Sequence, residues 1–166
     1  MFFIGDTHFG HSQIIDCEKR PFVNVEEMDK ELIIRWNSVV MDEDTVFMVG
    51  DFSFHDKEKT TEICSSLKGR MILIMGNHDD KQEEHYTDCG FHKVYEYPII
   101  LEGFWMVSHE PLYLNKNMPY ANIYGHVHGN EMNVDYSKHS FCACVERINY
   151  TPIEWGEIKA RISSIK

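Results

Sequence analysis

No apolar run in this sequence is longer than about five residues, against the roughly 20 that a membrane-spanning helix needs. The opening Met1-Phe2-Phe3-Ile4-Gly5-Asp6 has no basic stretch and meets an acid at once, which excludes a secretory signal peptide and suits a first strand. There is no Cys-x-x-Cys pair, and the five cysteines are an odd number. They read as reduced thiols in a cytoplasmic protein rather than as a disulfide framework. Basic charge is scarce: 16 Lys and Arg stand against 27 Asp and Glu, a net charge of −11. A broad surface for nucleic-acid backbone needs the opposite balance, so duplex nucleic acid is disfavoured as a partner. Pro/Gly/Ser-rich linkers, repeats and low-complexity stretches are also missing. Residues 1–166 are therefore expected to form a single domain with no cap domain, long enough for a sizeable core.

What is present is a set of short apolar runs with helical segments between them. Phe2–Ile4 is expected to be a strand and Ser12–Lys19 a short helix closed by Arg20-Pro21, since proline cannot continue it. Asn24-Val25-Glu26-Glu27 forms a cap pattern for a helix over 26–40. Its Met28, Leu32, Ile33, Trp36, Val39 and Val40 recur at helical spacing, as core packing does. A strand over 45–49, a helix over 57–66 capped by Gly69, and a strand over 71–75 complete a β-α-α-β-α-β half with parallel strands. The second half offers short strands near 92–95, 97–101, 104–108, 121–124, 141–145 and 151–155, with little room for helices between them. Hairpins or a second mixed sheet are expected there, then a last helix over 156–165.

Five of the runs end in residues that bind metals. Asp6-Thr7-His8, Gly50-Asp51, Gly76-Asn77-His78-Asp79, Ser108-His109 and Gly125-His126-Val127-His128 each follow a strand-like segment. The carboxyl ends of strands are where open α/β sheets build their sites, so one shared site is expected. Asp6 and His8 are two apart, as are His126 and His128. In extended backbone each pair projects to one side. Gly50, Gly76 and Gly125 stand where the chain must turn sharply or pass close to the site. The donors are nitrogen and oxygen, suited to Mn, Fe, Zn, Co or Ni. Asp6, His8, Asp51, Asn77, His109, His126 and His128 are too many for one tetrahedral ion, but they suffice for two that share a carboxylate.

In this order, these motifs resemble those of the calcineurin-like metallophosphoesterases. The segment from Phe9-Gly10-His11 to Arg20-Pro21-Phe22 is similar to a compact bacterial and phage branch of them. The resemblance implies a four-layer α/β/β/α sandwich of two mixed sheets flanked by helices. It also implies two divalent metal ions, manganese foremost. One ion would take Asp6, His8, Asp51 and His128; the other Asp51, Asn77, His109 and His126. His78 would contact the phosphate and protonate the leaving oxygen, with Asp79 holding its imidazole. The reaction implied is hydrolysis of a phosphomonoester or phosphodiester by a metal-bridging hydroxide, with no covalent enzyme intermediate.

Further substrate contacts are expected from His11 and Arg20, beside Asn77 and His78. Phe9, Phe52, Phe54 and Tyr113 flank the motifs and could wall a base or aryl group. The partner expected is a small phosphate ester, with nucleotides among the candidates. It would sit among loops 9–25, 52–58 and 110–120. Two rival readings are a nuclease, and a non-catalytic scaffold of the same fold. The acidic charge weighs against the first, and retention of His78 with a full ligand set weighs against the second.

Overall fold

A computed structural model describes residues 1–115, 117–130 and 139–163. In chain order its strands are β1 (Phe2–Ile4), β2 (Thr45–Met48), β3 (Arg70–Ile74), β4 (Lys93–Tyr95), β5 (Ile99–Leu101), β6 (Trp105–Ser108), β7 (Ala121–Tyr124), β8 (Ser140–Cys142) and β9 (Ile153–Glu154). Its helices are α1 (Ser12–Cys17), α2 (Val25–Val39), α3 (Lys57–Ser66), α4 (Glu83–Cys89) and α5 (Trp155–Ser163). The strands form two mixed sheets flanked by helices. One has the order β4-β3-β2-β1-β9, parallel except for β9; the other has the order β5-β6-β7-β8, parallel except for β5.

The strands of the first sheet are apolar on both faces because both faces are buried. Val46, Met48 and Leu73 face the helices, packing with Met28, Leu32 and Trp36 of α2 and Ile63 of α3. Phe3, Phe47, Val49 and Ile74 face the second sheet, against Val107, Ile123 and Phe141, with Ile158 and Ile162 of α5 in the same core. Each such side chain contributes about 1.5–3 kcal/mol on burial. The start of α2 follows its cap pattern: Asn24 Oδ1 accepts the Glu27 N–H at 2.8 Å, and Glu27 Oε2 accepts the Val23 N–H at 2.7 Å. The expected last helix is α5, and residues 164 and 165 lie outside the described residues.

Three local expectations are corrected. Helix α4 is an element its sequence hardly signals, because only Tyr86 and Cys89 of its seven residues are buried. It carries the chain over to β4, which pairs parallel with β3 and so belongs to the first sheet. Gly69 is not the cap of α3; Leu67 is. Gly69, at φ +88°, instead turns the chain into β3, where a Cβ would lie 2.9 Å from Val40 Cγ1. The strand expected over 141–145 ends at Cys142, and Val145–Arg147 form a turn of 3₁₀ helix.

The two sheets are laced together where the motifs lie. Beyond β1, the Gly5 N–H donates to Ala143 O at 2.7 Å, and the Val145 N–H donates to Gly5 O at 3.1 Å. Asp6 and His8 donate their N–H groups to Gly50 O and Asp51 O, both at 3.0 Å, which ties the loop after β1 to the loop after β2. Parallel pairing within each sheet puts the ends of β1, β2 and β3 on one edge, and those of β6 and β7 likewise.

Candidate metal centre

The structure brings all seven sequence-derived donors together. Ligand atoms of Asp6, His8 and His128 lie within 4.8 Å of one another, and so do those of Asp6, Asp51 and His109. Asp51 Oδ2 stands 3.5 Å from His8 Nε2 and 3.5 Å from His109 Nε2. Asn77 Oδ1 is 2.9 Å from His109 Nε2 and 2.9 Å from His126 Nδ1, and those two nitrogens are 3.2 Å apart. Asp6 reaches further than its motif suggests. It neighbours His109 as well as His8 and His128, and both its oxygens accept the His126 N–H at 3.0 Å.

The backbone that presents these groups is not extended. Asp6, His8, Asp51, His126 and His128 have φ of 58°, 52°, 56°, 69° and 49°. Left-handed backbone costs a non-glycine residue roughly 1–2 kcal/mol, and such strain gathers at functional sites. Paired donors two residues apart thus meet through successive tight turns, which corrects the extended geometry expected from their spacing. Gly50 shares the left-handed region at φ +85°, and a Cβ there would lie 2.2 Å from His109 Nδ1. Cβ atoms on Gly76 and Gly125 would lie 2.3 Å from Asp51 Oδ1 and 2.5 Å from Asp6 Oδ2.

The donor set fits a divalent cation. His109 Nδ1 faces Val49 O at 3.0 Å. A carbonyl only accepts, so Nδ1 carries the proton and Nε2 turns its lone pair toward Asn77 and Asp51. His128 Nδ1 faces Glu146 Oε1 at 3.2 Å, which likewise frees its Nε2. His8 pairs its Nδ1 with His11 Nδ1 at 3.1 Å, while its Nε2 is buried with no hydrogen-bond partner. Nitrogen and oxygen lone pairs gathered this way, with the imidazoles of His8, His109 and His128 each met on their other nitrogen, are what a borderline or hard ion needs.

Charges in the site differ by position. Burial pushes the Asp6 carboxyl up to about 6 and the His8 imidazole down to about 4. Burial also works against the Asp51 charge, but the imidazoles of His8 and His109 beside it outweigh burial and bring Asp51 to about 2. His126 is held below the ordinary imidazole range by burial. His128 is held above it: burial opposes its charge, and the Glu146 hydrogen bond with the Asp6 charge prevails.

Around the seven donors, two expected roles fall out differently, those of Asp79 and Arg20. His78 is exposed; its backbone N–H donates to Asp51 Oδ1 at 2.9 Å, and its ring centroid lies 5.7 Å from that of His8. Asp79 does not hold the His78 imidazole. It is buried, and its carboxylate accepts the N–H groups of Asp51 at 2.7 Å, Gly76 at 2.9 Å and Phe52 at 3.1 Å. Arg20 is not turned to a substrate either. Its buried guanidinium donates to Thr7 O and Asp6 O at 2.8 Å each and pairs with Glu146 Oε1 at 2.7 Å. His11, at the cap of α1, stacks on Phe54 with ring centroids 4.1 Å apart.

Glu146 is the residue that sequence reasoning missed. It lies outside every motif, and no spacing marks it. Of the flanking aromatics, Phe9 and Phe52 are core and Tyr113 is exposed. Phe54 lines a cavity of about 350 Å³ beside Asn77 and His78, together with Lys57, Lys81 and Tyr86.

No protein-family model matches the sequence. The uncharacterized protein MJ1445 of Methanocaldococcus jannaschii is 37% identical over 161 residues, which cover 92% of this chain and 85% of that protein. The gene 66 protein of Mycobacterium phage L5 is 32% identical over 108 residues, covering 63% of this chain and 47% of its own length. Among solved structures, the protein of unknown function AQ665 from Aquifex aeolicus matches with a TM-score of 0.75 at 28% identity, over 96% of this chain and 97% of that one. The Pseudomonas putida nuclease MPE matches with a TM-score of 0.51 at 20% identity, over 76% and 60%, a likeness of fold. No helix among the described residues is long and apolar enough to cross a membrane.

Proposed function

We propose that this chain, which belongs to the same family as the archaeal protein MJ1445, is a metal-dependent phosphoesterase of the calcineurin-like superfamily. The observation that carries the reading is the position of Asp51 Oδ2, 3.5 Å from an imidazole nitrogen on either side. A carboxylate oxygen placed between His8 and His109 is what two neighbouring cations would share. Asp6, His8, Asp51 and His128 would hold one ion, and Asp51, Asn77, His109 and His126 the other. Manganese suits this donor set, as do iron, zinc, nickel and cobalt. When bound, such ions lower the pKa of coordinated water and offset charge on a phosphoryl group.

The chain's own residues do the rest. His78 stands exposed at the cleft with its backbone fastened to Asp51. From there it would hold a phosphoryl oxygen and hand a proton to the leaving oxygen, general acid catalysis. Phe54 covers one wall, its ring stacked on those of His8 and His11. The 350 Å³ cavity beside it has the size of a small-ligand site. These features favour a small phosphate ester, a nucleotide among them.

The fold likeness to nuclease MPE raises a second reading, cleavage of nucleic acid. The net charge of −11 opposes it, since a polyanion must be met by Lys and Arg. Hydrolysis of p-nitrophenyl phosphate and bis-p-nitrophenyl phosphate with Mn²⁺, Ni²⁺, Co²⁺ or Zn²⁺ tests the proposal. Turnover of either ester with one of these ions is expected. Inertness toward both with all four would sink it. Cleavage of single-stranded DNA with neither small ester touched would favour the nuclease.

A further inference from the structure

We infer that Glu146 is a positioning residue for the proposed centre, orienting His128 and, through Arg20, fastening it to the Asp6–His8 loop. The inference rests on the reading of the centre as a metal site. One oxygen does the work. Glu146 Oε1 is 2.9 Å from Arg20 Nε, 2.7 Å from Arg20 Nη2 and 3.2 Å from His128 Nδ1. The same guanidinium donates to Thr7 O and Asp6 O. A single Arg–Glu pair thus joins the first metal motif to the last, with the Arg20 side chain 0% and the Glu146 side chain 6% exposed.

Stability alone is a poor reason for this pair. Taking two charges out of water is costly, and apolar replacements of such pairs are often neutral or stabilising. Here the cost is aggravated, because Glu146 Oε2 is buried without a hydrogen-bond partner. What the pair secures is the direction of one imidazole. With Nδ1–H given to Glu146, His128 keeps its Nε2 lone pair on the side of Asp6 Oδ1, 3.8 Å away. Its neighbour Arg147 holds the same residue by the backbone, donating from Nε to His128 O at 2.8 Å. Consecutive residues therefore hold the side chain and the carbonyl of His128. Glu18 also comes within 4.8 Å of Glu146 and His128, but Arg20 already supplies a cation at that carboxylate, so a third metal site is not the better reading.

The test uses the full chain as wild type, Glu146→Ala and Glu146→Gln. Mn²⁺ affinity should fall roughly 10–100-fold in Glu146→Ala, the usual worth of such an outer partner. It should fall less in Glu146→Gln, whose amide oxygen can still accept from His128. Long-range ¹H–¹⁵N NMR of the metal-free wild type should show His128 protonated at Nδ1, and Glu146→Ala should lose that preference. An Nε2–H tautomer in the wild type overturns the inference, and needs no variant to fold. So does a Glu146→Ala protein that binds Mn²⁺ as the wild type does. A wild type that binds no Mn²⁺ overturns the metal-site reading itself, which separates the two failures.

Discussion

Asp79 Oδ2 accepts the backbone N–H of Asp51 at 2.7 Å. The bond fixes the turn after β2 to the turn after β3, and it assigns Asp79 to the backbone rather than to the neighbouring imidazole. Further N–H groups, from Gly76 and Phe52, converge on the same buried carboxylate.

Removing that carboxylate should loosen the scaffold. Asp79→Ala leaves buried donors unmet and is expected to cost roughly 2–4 kcal/mol. Urea unfolding of the metal-free protein measures it. A loss below about 1 kcal/mol would mean that water replaces the carboxylate, and that Asp79 does not hold the turns.

His78 should matter to turnover and not to metal uptake. His78→Ala is expected to cut the rate roughly 10²–10⁴-fold, the usual contribution of a general acid, with metal content unchanged by elemental analysis. If the ions are lost with the side chain, His78 is a ligand and its assigned role is wrong.

Asp51→Asn should damage both ion sites at once, because one of its oxygens faces His8 and His109 alike. Metal titration followed calorimetrically would show two weakened sites. Two ions bound as tightly as in wild type would contradict sharing.

Acid should empty the two sites in sequence. A metal needs a deprotonated ligand, so affinity falls as pH drops through a ligand's pKa. His128, above the ordinary imidazole range, titrates first, and it shares its site with Asp6, at about 6. The other site has His126, below that range, and both sites use Asp51, at about 2. Metal content measured between pH 7.5 and 5, a range spanning the ordinary imidazole pKa of about 6.5, should therefore drop first at the His128 site. His128→Ala should abolish that first step. Loss of both ions in a single step, unchanged by the substitution, would refute the order.

Much of the fold and of the centre is legible in the sequence, for local reasons. The cap of α2 needs only Asn24 and Glu27, three residues apart, and its buried stripe of Met28, Leu32 and Trp36 needs only the helical period. Helix α4 is not legible, because its two buried residues, Tyr86 and Cys89, are one helical turn apart but too few to mark a period. Nor is the place of Asp79. A carboxylate beside a histidine suggests a partner along the chain, whereas its actual donors include Asp51, 28 positions away.

Residue type and spacing are enough to tell which side chains could bind a metal, and that each stands at the end of a buried strand. Those are statements about neighbours a few residues apart, where side-chain chemistry and backbone period decide. Which way each ligand turns, and what braces it, depends on the folded chain. Arg20 and Glu146 are 126 positions apart; they meet because the segment after α1 and the turn after β8 both bind the backbone of residues 5–7, through Arg20 and Val145. Once out of water there, each charge has to be matched by a group that folding brings to it.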